Sequence, residues 1–180
     1  KTLRMMPDRI SLYSYAHVPW VKGVGQRGYD ENDLPKDDEK RELYEFAKQK
    51  LEYAGYIEIG MDHFALQTDE LAKAMRTKKL HRNFMGYTTQ STPIMIGLGM
   101  SSISDSWFGF AQNNKTVEEY MEIVNRGEIP VFKGHLLTET DLIIRRYILD
   151  LMCHFETKID VNTIGLCLSE EIKNRLSEMV

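Results

Sequence analysis

Polar residues interleave with branched and aromatic ones at Arg9-Ile10-Ser11-Leu12-Tyr13-Ser14-Tyr15, a pattern that predicts a β-strand. Pro19, Gly23, Gly25 and Gly28 follow, so the strand runs into a long loop. A helix is predicted from about Pro35, whose fixed φ suits a first helical turn. Asp37, Asp38 and Glu39 complement the positive end of its dipole. Leu43, Phe46, Ala47, Leu51 and Ala54 recur at helical spacing, and Gly55 is placed to end the helix.

The run Tyr56-Ile57-Glu58-Ile59-Gly60-Met61 predicts a second strand, with Asp62-His63-Phe64-Ala65 at its C-terminal end. A short helix is expected from Thr68 to Arg76, with Asp69 and Glu70 in its first turn. Residues 80–87 carry no clear period. Ile94-Met95-Ile96-Gly97-Leu98-Gly99-Met100 is almost wholly apolar, as in a parallel strand buried on both faces. Strand, helix, strand, helix, strand is the order of an α/β fold with a parallel sheet and crossover helices. Three strands are too few to close a barrel, so the sheet is expected to continue upstream of Lys1.

After Trp107 the pattern becomes helical. Thr116-Val117-Glu118-Glu119 has the form of a capping box, and that helix should end at Gly127. Thr138-x-x-Asp141 opens another helix, with Leu142, Tyr147, Leu149, Met152 and Phe155 as candidate buried positions, and a last helix is expected near Ser169. The predicted organisation is therefore α/β over residues 1–110 and a small, mainly helical domain over 111–180.

A chain of 180 residues, 42% of them hydrophobic, can bury a real core. A formal net charge of -4 argues against a general nucleic-acid binder. No apolar run approaches the roughly 18 residues that a membrane span needs, and no signal-peptide pattern opens the chain. Beginning at Lys1 rather than at a methionine, the chain is expected to be processed, trimmed or cut from something longer. Cys153 and Cys167 are too few and too far apart for a disulfide framework or a metal site; they read as buried thiols in a cytoplasmic protein.

Ligands of parallel α/β sheets bind beyond the C-terminal strand ends, here Tyr15-Ala16-His17, Met61-Asp62-His63 and Ser101-Ser102-Ile103-Ser104. Ala16 and Ile103 are small or apolar enough to wall a cofactor pocket, or they are ordinary sheet residues. Asp62-His63 is an acid–base pair or part of a metal site, or its histidine is structural and hydrogen-bonded near the sheet edge; His17, His63 and His81 show no metal-ligand spacing. The basic stretch Arg76-Thr77-Lys78-Lys79-Leu80-His81-Arg82 suits a ligand with several carboxylates, or a solvated face, and Arg145-Arg146 has the same two readings. Tyr87 and Trp107 either stack on a flat ligand or fill a core.

Several segments taken together are more specific. Tyr15-Ala16-His17-Val18-Pro19, Gly60-Met61-Asp62-His63-Phe64-Ala65, Asp69-Glu70-Leu71-Ala72, Leu80-His81-Arg82-Asn83-Phe84-Met85-Gly86-Tyr87-Thr88-Thr89 and Gly97-x-Gly99-x-Ser101-x-Ile103-Ser104 follow in order, with Ile144-Arg145-Arg146 and Cys153-x-Phe155 after them. The set resembles the oxygen-independent coproporphyrinogen III oxidases of haem biosynthesis. That resemblance implies a radical S-adenosylmethionine enzyme that converts two propionates of coproporphyrinogen III to vinyl groups, giving protoporphyrinogen IX. It implies a four-iron, four-sulfur cluster, two S-adenosylmethionine molecules, and an incomplete parallel (β/α) barrel followed by a helical domain. This chain would be the C-terminal portion, with the missing N-terminal part of the same protein as its partner.

By motif, the resemblance places Ala16 and Ile103 against the cofactor and Phe84 beside the second cofactor molecule. Arg76 and Arg82 become candidates for the substrate carboxylates. The family's CxxxCxxC cluster motif is absent, so no catalytic residue and no metal ligand is expected here, and the chain alone should be inactive. Met85 stands where the family commonly has Gln, and a thioether cannot donate a hydrogen bond. The alternative is a haem-binding or haem-delivery protein of the same superfamily; a radical enzyme for another tetrapyrrole is a third reading.

Overall fold

The computed structural model describes residues 1–20, 25, 26, 28, 30–160, 162, 170, 171, 173–175 and 177. Gly23, Cys167 and Ser169, all singled out above, lie outside the described residues. The chain divides into two compact units, Lys1–Thr77 and Lys78–Val180.

The first unit opens with a helical turn, α1 (Thr2–Met5), and β1 (Arg9–Ser11). A 3-10 turn (Glu31–Asp33) leads into α2 (Asp37–Tyr53), then β2 (Tyr56–Gly60), β3 (His63–Leu66) and α3 (Glu70–Arg76). Gly55 follows α2 at φ 93°, a conformation that costs a side chain-bearing residue energy. Asp69 caps α3 by accepting from the Leu71 amide at 2.7 Å.

The sheet runs β1-β3-β2, with both pairings antiparallel. This corrects the expected parallel sheet. Asp62-His63-Phe64-Ala65 does not end β2. Met61 and Asp62 form a two-residue turn with φ 41° and 64°, and His63 begins a returning strand. Positive φ at both central positions marks a primed hairpin turn, which can join only antiparallel neighbours. The strand–helix–strand reading of β1, α2 and β2 nevertheless has a basis. Each strand runs antiparallel to β3, so β1 and β2 share a direction with β3 inserted between them. Leu51, Tyr56 and Phe64 form the core, with Leu3, Ile10, Leu12, Tyr44, Ala54 and Leu66 packed on it. Of the stripe predicted on α2, Leu51 is buried, whereas Leu43 and Phe46 are exposed.

The second unit holds the hairpin β4 (His81–Asn83) and β5 (Gly86–Thr88), where no period was legible. A three-stranded antiparallel sheet follows: β6 (Ile103–Asp105), β7 (Gly109–Asn113) and β8 (Val131–Leu136), in that order. Among the described residues the unit also holds two uninterrupted helices, α4 (Val117–Asn125) and α5 (Glu139–His154). The expected boundary at 110/111 falls inside β7, and the two compact units divide instead at 77/78. Thr116 caps α4, and Thr138 with Asp141 forms the complete capping box of α5. Phe155 lies exposed just past α5.

Residues 94–100 form no parallel strand. They make one antiparallel bridge, between Met95 and Asp105. Their exposure alternates: Met95, Gly97 and Gly99 are half-buried, while Ile94, Ile96, Leu98 and Met100 face outward. Continuous hydrophobicity concealed a period-two strand-like segment. The inner side is held by Asn113, whose amide donates to the carbonyls of Gly97 (3.0 Å) and Gly99 (2.9 Å).

Candidate functional site

Tyr15-Ala16-His17 leaves β1 as an extended segment. Ala16 is exposed and lines a cleft of about 840 Å³ with Tyr13, Tyr15, His17, Lys36 and Tyr44. The Gln26 side chain bridges this segment, donating to the Ala16 carbonyl at 3.1 Å and accepting from the Val18 amide at 2.6 Å. One side-chain amide thus does what a neighbouring strand would do for residues 16–18. A cleft of this size, with aromatic and polar walls, suits a nucleoside-sized ligand.

Asp62 and His63 do not form an acid–base pair. His63 Nδ1 lies 2.7 Å from the Met61 carbonyl and Nε2 lies 3.1 Å from the Tyr13 hydroxyl, so both ring nitrogens serve the hairpin and its neighbour. Burial, reinforced by the Glu58 and Asp62 carboxylates, pushes the Tyr44 phenol far above its usual range. It is a hydrogen-bond donor to Glu58, not an acid at any physiological pH.

The basic stretch splits between the two units. Arg76 closes the first, where its guanidinium donates to the Gln67 carbonyl at 2.9 Å and stays exposed. Arg82 belongs to β4, lies over the Tyr87 ring at 4.6 Å, and keeps Nη1 buried without a hydrogen-bond partner. Tyr87 donates to the Met152 carbonyl at 2.9 Å, tying the hairpin to α5. Burial lowers the His81 pKa, with the Arg145 charge acting in the same direction.

Phe84 and Met85 are the tip of the β4–β5 hairpin, since Asn83 pairs with Gly86. Both are open, Phe84 at 53% and Met85 at 88% exposure. The Phe84 ring meets Phe110 of β7 edge-on, with centroids 5.0 Å apart at 90°. Ile103 pairs with Gln112, and Asp105 with Phe110. Directly opposed residues point to the same side of a sheet, and so do alternate residues along a strand. Ile103 and Phe110 therefore share one face, and Phe84 packs on that face. The structure brings two of the three expected cofactor residues together in the second unit, while Ala16 lies in the first.

The Gly97-x-Gly99-x-Ser101 run has a structural explanation. A Cβ on Gly97 would stand 2.8 Å from the Ile103 carbonyl oxygen and 2.8 Å from the Ser102 Cβ, and Gly99 has φ 95°. Ser102 Oγ donates to the Leu98 carbonyl at 2.6 Å, and the Gly97 amide donates to Ser104 Oγ at 3.0 Å. The run is a tight return onto β6 in which position 97 has no room for a side chain and position 99 takes a positive φ.

Asp105 was missed by sequence reasoning. It is only 8% exposed and accepts from Arg145 Nη2 at 2.6 Å and from the Trp107 amide at 2.9 Å. Arg145 also donates to the Trp107 carbonyl at 3.0 Å, and its guanidinium lies 4.4 Å from the Trp107 ring centroid and 5.1 Å from that of Phe110. Arg145 is thus not a solvated cation. An aspartate beside an apolar strand was the available signal, but its partner stands forty residues away.

Among the described residues no group of three or more His, Cys, Asp or Glu side chains could hold a metal ion, and no helix is long and apolar enough to cross a membrane. Cys153 is buried, and burial raises its thiol pKa.

No family model matches the chain. The anaerobic coproporphyrinogen III oxidase 1 of Cereibacter sphaeroides is 41% identical over 155 residues, 86% of this chain and 34% of that protein. The oxygen-independent coproporphyrinogen III oxidase of Synechocystis is 44% identical over 156 residues, 87% of this chain and 33% of its own length. The oxidase of the same name from Helicobacter pylori is 37% identical over 171 residues, 95% of this chain and 37% of that protein. The solved structure of Escherichia coli coproporphyrinogen III oxidase (HemN), described as a radical SAM enzyme, matches with a TM-score of 0.80 and 39% identity, covering 91% of this chain and 37% of that one. This chain is similar to part of the oxygen-independent coproporphyrinogen III oxidases. It spans about a third of the length of the curated relatives it matches. The mixed helix and sheet content agrees with an α/β fold, and the match to HemN extends over both units.

Proposed function

We propose that this chain is the C-terminal portion of an oxygen-independent coproporphyrinogen III oxidase. The reaction turns each of two propionates into a vinyl group, with loss of carbon dioxide, a proton and two electrons. The observation that carries the reading is identity near 40% over most of the chain, in sequence and in fold, to proteins bearing that name.

The residues present do not fit an iron–sulfur cluster, because the described residues offer no converging ligand set. In this reading the cluster is held by the remainder of a longer protein, which also contributes the rest of an incomplete barrel. The fit to S-adenosylmethionine is better. Ala16 lines a nucleoside-sized cleft, and Phe84 with Ile103 offers a flat ring and an apolar side chain on one face. When bound, S-adenosylmethionine supplies the hydrogen-abstracting chemistry. The role of Ala16 in the first unit, and of Phe84 and Ile103 in the second, is to hold an adenosyl part by apolar contact and stacking. Met85 at the hairpin tip adds polarizable surface but donates no hydrogen bond.

Arg82 and Arg76 are the proposed partners for the porphyrinogen carboxylates. Arg82 has a buried Nη1 without a partner, and a buried donor left unpaired is costly, so an incoming carboxylate is its natural complement. Arg76 offers an exposed guanidinium.

The test is anaerobic production of the full-length protein that contains this chain, cluster reconstitution, and assay of coproporphyrinogen III with S-adenosylmethionine and a reductant. Protoporphyrinogen IX and carbon dioxide are the expected products. Cofactor cleavage without them, together with retained haem, would instead assign a haem carrier.

A further inference from the structure

The second unit contains a chain of contacts that the proposed function does not use. Asp105 and Arg145 are both largely withdrawn from water, their side chains 10% and 15% exposed. A buried ion pair is a poor source of net stability, because desolvation offsets most of the attraction. Its geometry does something else here. Asp105 fixes one edge of the guanidinium through Nη2, and the Trp107 carbonyl fixes another through Nη1. The flat group is held against Trp107 and Phe110 together. Phe110 in turn meets the edge of Phe84, the half-exposed ring at the hairpin tip. The β4–β5 tip consists of the two residues Phe84 and Met85, and the contact with Phe110 bears directly on the orientation of the Phe84 ring.

We infer that Arg145, pinned by Asp105, is a positioning residue that sets the orientation of Phe84 through Phe110. The Phe84 ring so held forms the stacking wall for the adenine of S-adenosylmethionine. This rests on the cofactor reading above and adds to it the device that presents the wall. Arg145 touches no ligand; it acts through two aromatic rings. A preoriented ring spares the ligand the cost of ordering the hairpin tip on binding.

The experiment uses the full-length protein, with S-adenosylhomocysteine as the probe and equilibrium binding as the readout, alongside thermal midpoint and porphyrinogen affinity. Arg145→Lys is the informative variant. Lysine preserves the charge facing Asp105 but has no flat plane to lie against two rings. If Arg145 only neutralises Asp105, Arg145→Lys binds the probe as the wild type does. The expected result is a three- to tenfold weaker probe affinity (roughly the range of one aromatic contact), with the thermal midpoint and porphyrinogen affinity nearly unchanged. Phe110→Leu should give the same loss, and Phe84→Leu an equal or larger one. Probe affinity within twofold of wild type for Arg145→Lys, while Phe84→Leu is weakened, overturns the inference and leaves the cofactor reading standing. No effect of Phe84→Leu overturns the inference and removes Phe84 from the site. Wild-type protein that fails to bind the probe at all overturns the cofactor reading, and the inference with it.

Discussion

Removing Asp105 should unbalance the second unit, because it strips a buried cation of its partner. In Asp105→Leu the Arg145 guanidinium loses its counter-charge in a site where little of either side chain reaches water. The Trp107 amide loses its acceptor as well. Breaking a buried pair by deleting one partner costs about 3–5 kcal/mol, because the survivor stays buried and unpaired. Replacing both partners with apolar residues of similar size removes the uncompensated charge. The double variant Asp105→Leu/Arg145→Met should therefore recover to within about 2 kcal/mol of wild type. Urea unfolding of the two single variants and the double variant completes the cycle, followed by circular dichroism so that Trp107 is not also the reporter. Non-additivity is the diagnostic. If Asp105→Leu costs less than about 1 kcal/mol, as exposed pairs do, or if the double variant equals the sum of the singles, the pair is solvated and the reasoning fails.

Three other outcomes follow from the structure. Thr138→Ala removes the side-chain cap of α5 and should cost about 0.5–2 kcal/mol, read by urea unfolding. The bonds from Thr138 hold the Asp141 carboxyl below its ordinary 3.8, so this cap contributes fully above pH 3.8; its contribution is lost as the pH falls through the depressed value, and an acid titration should locate that loss below the ordinary aspartate range. Met61→Asn places a residue tolerant of positive φ at the first turn position of the β2–β3 hairpin and should raise stability by about 0.5–1 kcal/mol; a lower melting temperature would contradict the turn assignment. With Cys167 changed to Ser, native protein at pH 8 should react slowly with iodoacetamide, because Cys153 is buried and its thiol pKa is raised, and urea should restore ordinary reactivity.

What was legible in the sequence was local. Thr116 before α4 and the Thr138–Asp141 box were readable because a cap is a contact over two or three residues, whereas Asp69, expected inside the first turn of α3, is its cap. Strand direction was not. Met61-Asp62 lacks the glycine that usually announces a primed turn, so β2 and β3 read as one strand and its end. Residues 94–100 were misread because outward positions carrying Ile94, Ile96 and Leu98 look like a buried run when no polar residue marks the open side. At the site, the resemblance supplied Phe84 and Ile103, and the sheet register then showed that they share a face. The Asp105–Arg145 pair spans two elements, and no periodicity reports a contact at that separation.

The insertion of β3 between β1 and β2 has a consequence for how the first unit is made. Among the described residues the strand that pairs with β1 is β3, which is synthesised roughly fifty residues later. At a ribosomal pace of about 5–20 residues per second, β1 waits about 3–10 s for its neighbour. In that interval α2 can form from local contacts, and once β3 exists its two-residue hairpin with β2 has a far lower contact order than the β1–β3 pairing and should precede it. The segment that runs on from β1 through Ala16 is therefore fixed against this sheet only once β3 has paired with β1, so one wall of the cleft depends on a strand roughly fifty residues downstream.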